Sequence, residues 1–244
     1  DPLAAVSPLD GRYAGRTEPL VPYASEAALM RARLRVEVEY LVALADLDAT
    51  PLSLSDDERR NLRAVVEGFG ADDARLIKRL ETEGAAGYAA TNHDVKAVEY
   101  FLRTETRDGI HPWIHFGLTS EDVNNLAHRL LVGPAVEDVL VPALADVRDE
   151  LVDLAHEYRD TPMLARTHGQ PATPTTFGKE MAVYAARLGN ATGRIAEAAG
   201  GLAGKLAGAS GTYAAHVAAS PDVDWRSFSR SFVTDLGLDH IPLT

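Results

Sequence analysis

Val136, Val139, Leu140, Leu144, Val147, Leu151, Leu154 and Tyr158 recur at three- and four-residue steps. An α-helix turns once in about 3.6 residues, so this spacing gathers the side chains into one apolar stripe. A stripe of that length needs a partner of similar length, and the usual partner is another helix of a bundle. Pro142 falls inside it and marks a kink. A second long pattern of helical period runs from Thr175 to about residue 199. No stretch shows convincing period-two alternation with turn spacing. The chain is expected to be all-α.

The first half carries shorter patterns. Residues 1–23 are irregular, punctuated by Pro2, Pro8, Gly11, Gly15, Pro19 and Pro22. A helix is expected from Ser25 to Leu47, with Leu29, Leu34, Val38, Leu41 and Leu44 along one side. "SDDE" at 55–58 is a capping box opening a helix to about Gly68. Further helices are expected over 71–84, 93–106, 119–132 and 224–236, with Pro134 in the first turn of the long helix that follows. "RDGIHP" at 107–112 reads as a boundary. It leaves a small N-terminal helical domain over 1–111 and the long helices of a central bundle over 112–244. The start at Asp1 without methionine reads as trimmed, and the ending "IPLT" reads as a cut, so the bundle is expected to be incomplete at its C-terminal end.

Composition narrows the function. Among 244 residues the net charge is −12, which repels phosphate backbones and argues against nucleic acid as a partner. Cysteine is absent, which removes disulfides, thiolate metal sites and a cysteine nucleophile. No run of 18 apolar residues and no basic-then-apolar leader occur, so no membrane partner is expected and a cytoplasmic location is. HExxH, EF-hand and GxxxxGK[ST] patterns do not occur. Gly200, Gly201, Gly204, Gly208 and Gly211 follow no strand, which argues against a dinucleotide fold. Glu26, Glu37 and Glu39 lack a Glu-x-x-His partner, and the histidines lack metal-ligand spacing. The expectation is no metal and no cofactor.

Three polar segments remain: "TNHDVKAVEYF" at 91–101, "HFGLTSEDVNN" at 115–125 and "ARTHGQPATPTTFGKEM" at 165–181. Each opens a helix. Thr91 with Asp94, and Thr119 with Asp122, have the spacing of caps, and Thr175 or Thr176 caps the third helix. Helix N-termini offer free N–H groups and partial positive charge, so brought together they suit a polyanion. His93, His115 and His168 add acid–base capacity near neutral pH. Caps of this kind are common, and a histidine beside a cap is more often a hydrogen-bonded surface or core residue. His168 is the stronger candidate, because Pro171 and Pro174 stiffen the loop that carries it between two long helices.

These segments, with "SPLDGRY" at 7–13 and "GKLAGASGTYAAH" at 204–216, stand in the order found in the adenylosuccinate lyase family of the fumarase/aspartase superfamily, which the chain resembles. "SPLDGRY" and "TNHDVKAVEYF" are the more specific to that family, in its longer bacterial branch. The resemblance implies an L-aspartase/fumarase-like fold and a β-elimination that releases fumarate from adenylosuccinate, and from the succinyl-carboxamide ribotide, in purine nucleotide biosynthesis. It makes His168 the general acid toward the departing nitrogen. It places Arg12 and Tyr13 at the nucleotide phosphate, and Asn92, His93, Asp94, His115, Thr119, Ser120, Thr167 and Gln170 around the succinyl nucleotide. It gives Lys205 a place in a family turn but no role. It also implies a homotetramer in which each active site takes segments from three chains.

The family's signature loop, Ser-Ser-x-Met-Pro-x-Lys-x-Asn-Pro, which carries the serine taken as base, is absent from these 244 residues. The expectation is that the chain is an N-terminal portion, close to inactive alone. Other superfamily lyases (argininosuccinate lyase, fumarase, aspartase) are the alternative. Arg12 and Tyr13 favour a nucleotide phosphate over their smaller substrates. A non-catalytic helical oligomer of the lens-crystallin kind is the remaining alternative, and the intact His93, Thr119, Ser120 and His168 argue against it.

Overall fold

The computed structural model describes residues 5–243. Its longer helices are α1 (Glu26–Ala45), α2 (Asp56–Glu67), α3 (Ala71–Thr82), α4 (Asp94–Thr104), α5 (Ser120–Ala135), α6 (Val141–Glu157), α7 (Phe177–Gly200), α8 (Ala214–Ala219) and α9 (Trp225–Asp235). Short helical turns at Ala14–Thr17 and Val21–Ala24 precede α1. The helical class expected from the apolar spacing holds.

By contacts the chain divides into two compact units, Asp1–Val132 with Leu202–Thr244, and Gly133–Gly201. This division differs from the 111/112 boundary expected from sequence. The segment after residue 202 returns to the core of the first unit, and neither composition nor punctuation announces a return.

In the first unit α1 is central. The Ser25 side chain caps it, accepting from the Ala28 N–H at 3.1 Å. Leu34, Val38, Leu41 and Leu44 are buried as their spacing predicts, and so are Val36, Tyr40 and Val42 away from that stripe. A helix buried on most of its circumference has neighbours on most sides, and α2, α3 and α4 all pack on α1. The capping box of α2 forms as read: the Ser55 N–H donates to Glu58 Oε2 at 2.8 Å and the Glu58 N–H donates to Ser55 Oγ at 3.2 Å. Trp225, Phe232, Val233, Leu236 and Leu238 complete the same core, and the Phe232 ring meets Tyr40 edge-on at 5.5 Å. A short parallel pair, β3 (Ala203–Gly204) with β4 (Asp239–His240), closes this return.

In the second unit α6 and α7 pack along each other. They are joined by β1 (Pro162–Thr167) and β2 (Gln170–Thr176), an antiparallel ribbon where the sequence reading expected an irregular loop. Pro171 and Pro174 are poor strand residues, but a two-stranded ribbon has two free edges, where a missing N–H breaks no ladder bond. Pro134 also departs from expectation: it lies inside α5, and a π turn over Val136–Leu140 follows it and precedes Pro142. A π turn loosens the ladder just where a proline lacks its donor and crowds the preceding turn. The apolar stripe of α6 is only partly covered, with Val147 54% exposed.

The helices approach closely at Gly178. A Cβ there would lie 2.6 Å from the Arg159 Cα and would also crowd the Ala155 carbonyl oxygen. Neither neighbour is a flexible side-chain tip. Gly178→Ala is expected to destabilise this unit by about 1–3 kcal/mol through overpacking. Hydrogen exchange of the α6 and α7 amides measures it, and unchanged protection would contradict the tight contact.

Candidate active site

Two polar segments of the first unit meet. At the start of α4, Asn92 stands at φ +49° and turns the chain into the helix. His93 then caps the helix, in place of the Thr91 cap expected: its Nδ1 accepts from the Lys96 N–H at 3.3 Å. Thr91 instead brackets His93, accepting from its N–H at 3.2 Å and donating to its carbonyl at 2.9 Å. With Nδ1 used as an acceptor, the ring proton of the neutral imidazole belongs on Nε2. There it faces Ser120 Oγ at 3.2 Å, on the first residue of α5. The serine hydroxyl hydrogen is left free to donate elsewhere, between two helix N-termini that favour negative charge.

Asp94 lies in this turn but already has a partner. Its Oδ2 is 2.6 Å from the buried Arg33 guanidinium, whose Nε also donates to Asn124 Oδ1 at 2.8 Å. Burial alone would raise the Asp94 pKa. The Val95 N–H and the Arg33 charge outweigh it and hold the carboxyl below its ordinary value. Arg33 therefore ties α4 and α5 to α1.

Thr119 precedes Ser120, and its N–H donates to Asp122 Oδ2 at 3.0 Å, one half of the box read from sequence. Asp122 does more than cap. Fully buried, it also accepts from the Ala207 N–H at 2.9 Å and the Gly208 N–H at 3.0 Å, with Lys205 Nζ at 3.3 Å. That accounts for Lys205, which sequence left without a role.

His115 opens the same segment at φ +60°. Its Nδ1 is 2.5 Å from Glu37 Oε1 and its Nε2 is 3.9 Å from Glu99 Oε1. Burial would lower its pKa, but the hydrogen bond to Glu37 and the charges of Glu37 and Glu99 raise it above the ordinary histidine value. Two residues on, Gly117 at φ +70° packs on His216, where a Cβ would lie 2.7 Å from the ring. His216 is fully buried, with Nε2 3.0 Å from the Tyr40 hydroxyl. Tyr40 donates to the Phe116 carbonyl at 2.8 Å, which makes His216 Nε2–H the donor to Tyr40.

Arg33, Glu37 and Tyr40 thus occupy one face of α1 and hold successive pieces of the polar segments. Sequence reading missed all three in this role. Their spacing of four and three residues was the available signal, hidden among apolar residues of the same period.

In the second unit, His168 and Gly169 form the two-residue tip of the β1–β2 ribbon, with φ of +50° and +73°. Two positive φ values in a two-residue loop match the twist of the flanking strands. Thr167 pairs with Gln170 at the base of this turn, and the tip is exposed. Near the chain start, Arg12 and Tyr13 are exposed, the guanidinium carbon 5.4 Å from the centre of the Tyr13 ring. Thus His93 and Ser120 touch, Asn92, Asp94 and Thr119 adjoin them in sequence, Arg12 stacks with Tyr13, and Thr167, His168 and Gln170 share the hairpin tip. Among the described residues no group of three or more His, Asp or Glu is placed to hold a metal ion, and no helix is long and apolar enough to cross a membrane.

Burial holds His216 below its ordinary pKa. The unfolded chain then binds its proton more readily, so this stability is complete above about pH 6.5 and is lost as pH falls through the folded value. His115, with a raised pKa, has the opposite sign. As pH is lowered from neutral to mildly acidic, the urea midpoint of the wild type should fall relative to that of His216→Gln. Equal slopes would remove His216 as the cause. Asp122→Ala is expected to cost about 3 kcal/mol or more, because Lys205 and three N–H groups lose a buried acceptor. A melt within about 0.5 kcal/mol of wild type would contradict that.

Residues 11–242 match the sequence model of a family described as lyase. The chain is 43% identical over 250 residues to an adenylosuccinate lyase of Escherichia coli (strain K12), covering 99% of this chain and 53% of the relative. It is 42% identical over 243 residues to an adenylosuccinate lyase of Legionella pneumophila (strain Corby), covering 97% and 51%. The solved fumarate lyase from Mesorhizobium sp. BNC1 is similar in structure, with a TM-score of 0.70 at 25% identity over 95% of this chain and 49% of that one. The chain spans about half the length of the curated relatives it matches.

Proposed function

This chain belongs to the lyase family, and we propose from that premise that the whole protein is an adenylosuccinate lyase. The reaction releases fumarate from adenylosuccinate by β-elimination, and from the succinyl-carboxamide ribotide in the same way. A base takes a proton from the succinyl Cβ, the electron pair of that C–H bond becomes the new C=C bond, the C–N bond breaks, and the nitrogen receives a proton. The observation that carries the reading is the 43% identity to an adenylosuccinate lyase over 99% of the chain. The contact of His93 with Ser120 at two helix N-termini supports it.

In this reading His168 is the general acid. Its two-residue turn projects the imidazole from a stiff ribbon, and an imidazolium donates a proton well near neutral pH. Thr167 and Gln170 flank it. Arg12 and Tyr13 take the nucleotide phosphate, for which a guanidinium and a phenol are suited donors. Asn92, His93, His115, Thr119 and Ser120 receive the rest of the substrate, and Asp94, tied to Arg33, sets the turn that carries Asn92 and His93. The enzyme works in the cytoplasm, without a cofactor, as a homotetramer whose active sites each take segments from three chains. The uncovered apolar stripe of α6 supports the assembly.

Fumarate release from adenylosuccinate by the whole protein tests the reading, and none at all would refute it. His168→Gln is expected to lower kcat by about 100- to 10,000-fold with little change in KM. Arg12→Ala is expected to raise KM for the nucleotide with the fold intact, and an unchanged KM would remove Arg12 from the phosphate.

A further inference from the structure

Glu37 is the least expected charge in the first unit. It lies in the middle of α1 with its side chain 0% exposed, and its Oε2 has no hydrogen-bond partner among the described residues. A carboxylate so placed is costly unless something compensates it. The compensation is one-sided: only Oε1 is engaged, by His115 Nδ1 at 2.5 Å. His115 in turn sits in the left-handed region at φ +60°. Its other nitrogen is uncommitted, because Glu99 Oε1 at 3.9 Å is beyond hydrogen-bond reach. The His115 side chain is 15% exposed, so solvent reaches it.

The groups facing the imidazole are Glu37 from α1, and Glu99 and Lys96 from α4. Lys96 Nζ is bound to Glu99 Oε2 at 2.6 Å, which spends most of its charge there. Glu37 remains as the dominant neighbour.

We propose that Glu37 is a positioning residue: it grips the His115 ring through Nδ1 and keeps it cationic, so that Nε2–H is offered to the substrate as a hydrogen-bond donor. The proposal rests on the reading of His115 as a substrate-facing group. A neutral imidazole held by Nδ1–H would present a lone pair at Nε2 and repel a carboxylate or phosphate oxygen. The imidazolium presents only donors. Glu37 thereby decides the polarity of the contact without touching the substrate.

The test is made on the whole protein. NMR of 13C-labelled histidine, with the His115 signal identified by its loss in His115→Asn, gives the titration midpoint of the ring. The wild-type ring is expected to titrate above the ordinary histidine value and to be mostly charged at about pH 7.5, and Glu37→Gln is expected to lower the midpoint by about one unit or more. In the same variant, KM for adenylosuccinate should rise about tenfold at about pH 7.5, with kcat changed less, and recover toward the wild-type value near pH 6 where the ring recharges. A KM defect equal at both pH values is what a merely structural role gives, and it overturns the proposal. So does a wild-type ring that is mostly neutral at about pH 7.5, which decides the matter even if Glu37→Gln does not fold. Failure of the wild type to release fumarate would instead fall on the proposed function, and the ring titration would still decide whether Glu37 holds His115 charged.

Discussion

The buried carboxylate of Asp122 is the interaction on which the candidate site depends. It gathers N–H groups from Thr119, Ala207 and Gly208, together with the Lys205 ammonium. A single side chain thus satisfies donors from two stretches of backbone far apart in sequence, in a place where unsatisfied donors would be expensive. Asn125 reinforces the junction, with its amide donating to the Lys205 carbonyl at 3.0 Å and its Oδ1 accepting from the Lys205 N–H at 2.9 Å. The glycine-rich return is in this way bound to the start of α5, and Ser120 is held where His93 can reach it.

Around this junction the polar residues fall into two kinds. Arg33, Asp122, Asn125, Tyr40 and His216 are consumed by the protein itself. Ser120 and His115 each keep a group uncommitted, a hydroxyl hydrogen in one and a ring nitrogen in the other. The same short segment supplies both, and Gly117 lies between them at φ +70° against the His216 ring. Glycine tolerates the positive φ of this bend and leaves room for the ring, and the bend turns His115 and Ser120 to separate neighbours.

Much of the helical fold was legible because local rules and burial agreed. The Ser55 box, the Ser25 cap and the apolar spacing of α1 all point the same way, and the structure follows them. The hairpin was not legible, since Pro171 and Pro174 are poor strand residues and only the free edges of a two-stranded ribbon admit them. Nor was the partnership of Glu37 with His115, which joins residues 78 apart in sequence. Periodicity reports which residues share a helix face, and it says nothing of which distant segment that face will meet. The return of residues 202–243 to the first unit was hidden for the same reason: it is held by core packing and by Asp122, whose cap spacing explains only one of its bonds.

Arg33, Glu37 and Tyr40 share one face of a helix most of whose remaining circumference is filled by the core. Adjacent members of this row are about a turn apart, so α1 acts as a ruler with three marks. One residue inserted between Ser25 and Arg33 would either push this row along by about 1.5 Å and around by about 100°, or force a bulge upstream. The three marks cannot be adjusted separately, because they are cut on one rigid rod. Insertions and deletions in this helix are therefore expected to cost more than substitutions that keep its length, and changes of core volume beneath it become changes in the alignment of every polar group it serves.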